Sequence, residues 1–225
     1  MEGKSLLFLC ASDLHGFAPG APGFGATPDA LLLLGDLEWS AGRLVGMFPD
    51  IPVFGVPGNH DYSVDPFCGT PVENLHGRAV EFGGVRIGGL GGSLRYKPGD
   101  DFLFWDAEYR EILRKMPPVD IFISHCPPAG LPWCDTPSEE APWHGAHEGS
   151  AALAEYIYRM QPAVVLCGHL HLSAGKRMGK TLVRVVYGVE MFEYSCGLER
   201  VFQHKGGLSR ADWASQPGPA TGRAD

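Results

Sequence analysis

A recurrence constrains this chain more than anything else in it. Five short apolar runs, Leu6–Cys10, Ala30–Leu34, Ile51–Val56, Val119–Ile123 and Ala163–Cys167, each break off into a polar turn. Runs this short, bounded by turn residues, read as buried strands rather than helices. Helical patterns lie between some of them: Ser40–Met47, Phe102–Met116 and Gly149–Met160, the last with Ser150 as N-cap and Pro162 just past its end. Gly83-Gly84 between Val80–Phe82 and Val85–Ile87 marks a tight hairpin, and Met178-Gly179-Lys180 leads into a second through Thr181–Val186. Strands alternating with helices, plus hairpins, predict an α/β domain with mixed sheets. The 225 residues suffice for one such domain with a sizeable core, and no internal repeat divides them.

Two stretches break the pattern. Gly16–Pro28 lies where a crossover helix would fall, yet it holds three Pro and four Gly, which predicts an irregular loop. Asp135–Glu148 is Pro-rich and flanked by Trp133, with Trp143, His144 and His147 inside it; it reads either as a lid over a site or as a surface loop. From about Lys205 onward the chain is polar, small and Pro/Gly-containing, so residues 1–204 are expected to form the domain and 205–225 a tail.

Charge and cysteines narrow the setting. Eighteen basic against 26 acidic residues give a net charge of −8, without the basic run of an extended nucleic-acid track. No stretch reads as a signal peptide or a membrane span, and the expected location is the cytoplasm. Cys10, Cys68, Cys126, Cys134, Cys167 and Cys196 are scattered, which suits free thiols better than disulfides or zinc knuckles.

The turns carry the chemistry. After the first run comes Ser12-Asp13-Leu14-His15-Gly16, after the second Gly35-Asp36, after the third Gly58-Asn59-His60-Asp61, after the fourth Ser124-His125, and after the fifth Gly168-His169-Leu170-His171. Functional groups of open α/β folds gather at the carboxyl ends of strands, so these five turns can converge. Asp-x-His and His-x-His place alternate side chains on one side of an extended segment. Carboxylates, imidazoles and one amide, with no thiolate, suit Mn²⁺, Fe, Zn²⁺, Co²⁺ or Ni²⁺. Asp13, His15, Asp36, Asn59, His125, His169 and His171 are too many donors for one ion and enough for two. Five of the nine histidines fall in these turns; of the others, His76 and His204 read as solvated surface residues.

In this order the motifs resemble the calcineurin-like metallophosphoesterase superfamily, over roughly Leu6 to His171. The resemblance implies a four-layer α/β/β/α sandwich of two mixed sheets flanked by helices, with a dinuclear centre. It implies that Asp13, His15 and His171 bind one ion, that Asn59, His125 and His169 bind a second, and that Asp36 touches both, with Mn²⁺ the first candidate among the divalent transition metals. His60 resembles the family's catalytic histidine, which contacts the phosphate and protonates the leaving oxygen. Paired ions roughly 3.5–4 Å apart can activate a water and hold it in line with phosphorus. Asp61 could orient His60 or serve the turn.

The run Gly35-Asp36-Leu37-Glu38-Trp39-Ser40 lacks the Asp and Arg that the protein Ser/Thr phosphatase branch carries there, which argues against a protein substrate. Gly91–Tyr96 and the stretch from His125 to Gly149 look like compact bacterial phosphodiesterase-type members. The expected activity is hydrolysis of a small phosphodiester, with a broad-range phosphomonoesterase as the alternative. A catalytically silent binding module is disfavoured, because every expected ligand and His60 are present.

Overall fold

The protein is described here by a computed structural model over residues 5–17, 26–61, 66–99, 102–134 and 146–195, with the backbone of 201–208. Numbered in chain order, β1 (Ser5–Ser12), β2 (Ala30–Leu33), β3 (Val53–Gly55) and β4 (Val72–Asn74) run parallel to one another. β13 (Gly188–Ser195) and β14 (Val201–Leu208) extend this sheet antiparallel, in the order β14-β13-β1-β2-β3-β4. The second sheet holds β5 (Ala79–Phe82), β6 (Val85–Leu90), β9 (Ile121–Ser124), β10 (Val164–Cys167), β11 (Ala174–Met178) and β12 (Thr181–Val185), in the order β11-β12-β10-β9-β6-β5. Its inner pairs β6–β9, β9–β10 and β10–β12 are parallel, and the edges close through the two predicted hairpins.

The period-two alternation of the strands explains the layering. Leu6, Phe8 and Cys10 of β1 pack between the sheets with Ile87, Ile123 and Leu166 of the second sheet. Leu9 and Ala11 point the other way, into a cluster with Leu44 of α1 (Ser40–Met47). On the far face of the second sheet, Phe122, Val165 and Val183 pack with Tyr109 of α2 (Asp106–Lys115) and Tyr156 of α3 (Ala151–Met160). The order helix, sheet, sheet, helices is the predicted four-layer α/β/β/α sandwich. Ser150 caps α3 by accepting the Leu153 N–H at 3.0 Å. Gly83 and Gly84, at φ 60° and 86°, supply the left-handed pair that a two-residue hairpin needs.

Some expectations are corrected. The helix predicted from Phe102 begins at Asp106, because Phe102 is left-handed (φ 51°) and Leu103–Phe104 instead form β8, paired in parallel with β7 (Ser93–Leu94). His76 is not a solvated surface residue: its Nδ1 accepts the Gly91 N–H at 2.9 Å and its ring stacks on Phe104 at 5.2 Å. β14 continues to Leu208, past the Lys205 boundary expected for the tail, because pairing with β13 gives a polar segment a place in the sheet. Residues 209–225, most of Gly16–Pro28, most of Asp135–Glu148 and the side chain of His204 lie outside the described residues. The five described cysteines are free, and among the described residues no helix is long and apolar enough to cross a membrane.

Candidate active site

The turns after β1, β2, β3, β9 and β10 meet at one end of the sandwich, across the seam between the sheets. Backbone bonds lock them together within each sheet: Asp13 N–H to the Gly35 carbonyl at 3.1 Å, His15 N–H to the Asp36 carbonyl at 2.9 Å, and Gly168 N–H to the His125 carbonyl at 3.1 Å. Two of the bonds that cross the seam involve the site residues directly. The His169 N–H donates to Asp13 Oδ2 at 2.9 Å, and His125 Nδ1 donates to the Leu34 carbonyl at 2.8 Å. Close approach is a condition of this geometry. A Cβ on Gly168 would lie 1.9 Å from Ser12 Oγ, and one on Gly58 would lie 2.1 Å from Asp36 Oδ1.

Both buried carboxylates divide their oxygens in the same way. Asp13 Oδ2 accepts from Ser12 Oγ at 2.7 Å and from His169 N–H, and Asp36 Oδ1 accepts the His60 N–H at 2.7 Å. Asp13 Oδ1 and Asp36 Oδ2 are buried and have no hydrogen-bond partner. His171 Nε2 lies 3.4 Å from the first, and His15 Nε2 3.2 Å from His171 Nε2. His125 Nε2 lies 3.4 Å from the second and 3.0 Å from Asn59 Oδ1. Donor atoms of Asp13, His15 and His171 all fall within 4.8 Å of one another, as do those of Asp13, Asp36 and His125. A carbonyl can only accept, so His125 spends its hydrogen on Leu34 and turns a lone pair on Nε2 toward two further acceptors. Lone pairs converging on buried, unpartnered carboxylate oxygens repel one another unless a proton or a metal cation stands among them. This donor set fits divalent ions.

His169 enters differently. Its Nε2 lies 2.5 Å from the Ala146 carbonyl and must donate to it, which leaves Nδ1 as the nitrogen able to hold an ion. Its ring centroid lies 5.0 Å from that of His125. His60 is half-buried, its ring centroid 5.3 Å from that of His15, beside the donor set. All eight sequence-predicted site residues are therefore brought to one place.

The electrostatics match. Without an ion, a proton takes the place among these acceptors: burial would depress the His125 pKa, but the adjacent Asp36 carboxylate outweighs it and raises it to about 9. Burial would raise the Asp36 carboxyl, and His125 more than offsets this, holding it below the usual carboxylate range. Burial, reinforced by His125, drives His169 down to about 3, so it stays neutral. The backbone is strained at the same residues: Asp13, His15, Asp36, His169 and His171 are left-handed, with φ between 47° and 72°. Such strain in non-glycine residues concentrates at functional sites.

The calcineurin-like phosphoesterase family model matches residues 6–173, which span all five turns. The chain belongs to that family. Calcineurin-like phosphoesterases are, as a family, metal-dependent hydrolases of phosphate esters, and this one is an enzyme of that class. Solved structures similar to it include TT1561 of Thermus thermophilus, at 19% identity and TM-score 0.57, covering 90% of this chain and 100% of that one. A putative 5′-nucleotidase from Staphylococcus aureus shares 14% identity at TM-score 0.54, covering 89% of this chain and 53% of that one. The calcineurin-like phosphoesterase YfkN from Bacillus subtilis shares 10% at 0.53, covering 91% and 92%. At these identities the likeness is one of fold. No curated protein sequence matches.

Around the centre of this phosphoesterase stand further residues: for Asp61 the structure decides between the two roles the sequence offered, and the others were given no role from the sequence. Asp61 serves the turns. Its carboxylate accepts four backbone N–H groups, from Asp36, Leu37, Glu38 and Gly58, at 2.8–3.0 Å, and so ties the β2 turn to the β3 turn. Asn59 Nδ2 donates to Tyr96 Oη at 3.4 Å, which keeps Oδ1 on the His125 side. Tyr187 stacks on His171 at 5.6 Å. His147, outside the strand-end turns, lies with its ring centroid 5.2 Å from His169 and 5.8 Å from His171. The His-x-Gly run holding His147 was a visible signal for this last residue; the others become legible only in three dimensions.

Proposed function

We propose that this chain is a metal-dependent phosphodiesterase acting on a small phosphodiester. Asp13, His15 and His171 hold one ion, Asn59, His125 and His169 Nδ1 hold a second, and Asp36 serves both, with Mn²⁺ the first candidate. The observation that carries the reading is the pair of buried carboxylate oxygens, Asp13 Oδ1 and Asp36 Oδ2, left without hydrogen bonds among imidazole and amide acceptors. Divalent ions bound there supply Lewis-acid activation of water and neutralise charge on the phosphate. The protein's own residues do the rest. The left-handed turns, held by Asp61, fix the donors before substrate arrives, and His60 delivers a proton to the departing alkoxide oxygen.

Rates on bis-p-nitrophenyl phosphate and p-nitrophenyl phosphate, each with Mn²⁺, Ni²⁺, Zn²⁺ and Mg²⁺, test the reading. Faster turnover of the diester supports it; faster turnover of the monoester replaces it with a phosphomonoesterase. His60→Ala is expected to keep its metals and to lose turnover about 10²–10⁴-fold, as a positioned acid–base group does. The loss is expected to be larger on alkyl esters, whose leaving groups need the proton, than on p-nitrophenyl esters. Equal losses on both would make His60 a phosphate-binding residue instead.

A further inference from the structure

Beside the His15 edge of the centre lies a cleft of about 300 Å³ lined by Glu38, Trp39, Ala41, Asp61, Pro66 and Phe67. Four of these residues are accounted for without a ligand. Phe67 and Ala41 belong to the apolar cluster under α1, Asp61 is consumed by its four N–H bonds, and Pro66 borders Phe67. Trp39 is not so accounted for. It is 56% exposed, one of three large apolar side chains so exposed among the described residues, and it packs against Gly16, the residue that follows His15. Exposing an indole forgoes apolar burial, and such residues in clefts mark binding surfaces.

Trp39 is also held in place. Gly16, the residue after His15, packs so closely against its edge that a Cβ there would lie 2.4 Å from the indole Nε1 and 3.0 Å from Glu38 Oε2. The indole and the Glu38 carboxylate are thus braced together on the turn that carries His15. Glu38 is itself fixed in a left-handed conformation (φ 52°), with its N–H donated to Asp61 at 2.9 Å. The Arg43 guanidinium lies 5.9 Å from the Trp39 ring centroid and steadies it from α1. The result is an exposed aromatic surface with a hydrogen-bond acceptor beside it, on the turn that follows Asp36 and against the turn that carries His15.

We infer that Trp39 and Glu38 form a subsite for a nucleobase, so that the phosphodiester hydrolysed carries a nucleoside, its base stacked on Trp39 and a base N–H donated to Glu38. Every base offers a π-face to an indole, and each also carries a ring N–H or an exocyclic amino group that a carboxylate can accept. This rests on the phosphodiesterase reading above and deepens it.

The test compares two cyclic diesters with the same strained five-membered phosphate ring, adenosine 2′,3′-cyclic phosphate and glycerol 1,2-cyclic phosphate. The Mn²⁺-loaded wild-type protein is expected to favour the adenosine ester in kcat/KM by roughly five- to a hundredfold, the range that one base stack supplies. Trp39→Ala is expected to collapse that ratio toward one, and Trp39→Phe to keep most of it. A wild-type ratio near one overturns the inference, as does a ratio unchanged in Trp39→Ala. Calorimetric binding of adenosine 5′-monophosphate separates the two readings: Trp39-dependent binding in a protein that hydrolyses neither diester upholds the subsite and overturns the phosphodiesterase. Binding that is equal in wild type and Trp39→Ala overturns the subsite itself.

Discussion

At the scale of single residues, the centre is made by carboxylates that serve two masters. Asp36 gives one oxygen to the His60 N–H and turns the other toward His125, and in the proposed arrangement it serves both ions. Asp36→Ala is expected to disturb both ions, and Asp13→Ala chiefly one. Elemental analysis of the purified variants after Mn²⁺ loading checks this, and two retained ions in Asp36→Ala would contradict it. The metal-stripped protein should also report the His125–Asp36 pair through pH. His125 is raised from about 6.5 to about 9, so its contribution to stability is complete below about pH 6.5 and fades as pH climbs toward 9. Asp36 is lowered, so its contribution is present above about pH 4 and is lost on acidification. His169, driven down to about 3, contributes stability that is present above about pH 6.5 and lost below it. The urea midpoint of the stripped protein is therefore expected to peak near pH 6.5 and to fall on either side. A midpoint that stays level from pH 6.5 to 9 would refute the assignment. The strained backbone adds a further restriction. Asp, Asn and His tolerate the left-handed region better than other L-residues, so the residue types that bind ions here are also those the turns can hold.

At the scale of elements, the helices that cover the second sheet are fastened to each other. Asp106 at the start of α2 accepts Ser150 Oγ at 2.7 Å and the Ala152 N–H at 3.1 Å, so one carboxylate fastens α2 to the start of α3. Asp106→Ala is expected to cost about 1–2 kcal/mol, the range of a lost cap and its charged hydrogen bonds, measured as a lowered urea midpoint at unchanged metal content. The strands that carry the site were legible in the sequence because each is apolar, short and closed by a turn with its own chemistry. The α3 cap was legible too, since Ser150 and Pro162 are local signals. What escaped was held by partners far along the chain. Phe102–Phe104 has the composition to continue a helix, yet Phe104 pairs beside Leu94 and stacks on His76. β13 alternates, but buried Glu190 breaks its apolar face until Arg184 is seen 3.0 Å away. Asp61 looked like a turn residue or a tether for His60, and only the fold brings four N–H groups around it.

At the scale of the whole molecule, the donors come from two separate sheets. Asp13, His15, Asp36 and Asn59 follow strands of the first; His125, His169 and His171 follow strands of the second. Ion–ligand distances tolerate only about ±0.2 Å, so the centre reads how far one sheet has slid along the other. That offset is set by the apolar layer between them, where Phe8 and Phe192 pack with Ile123 and Leu166. Phe8→Ala, in the middle of β1, is expected to cost about 3–5 kcal/mol as a core truncation. Its effect should also appear as weaker binding of an ion, measured by competition with a chelator at a temperature where the variant remains folded. Unchanged affinity would show that the turns hold their geometry without the core. The apolar layer is thus expected to work as a calibration standard for the chemistry at its end: drift in the interior should register first as lost grip on metal, while the sandwich itself still stands.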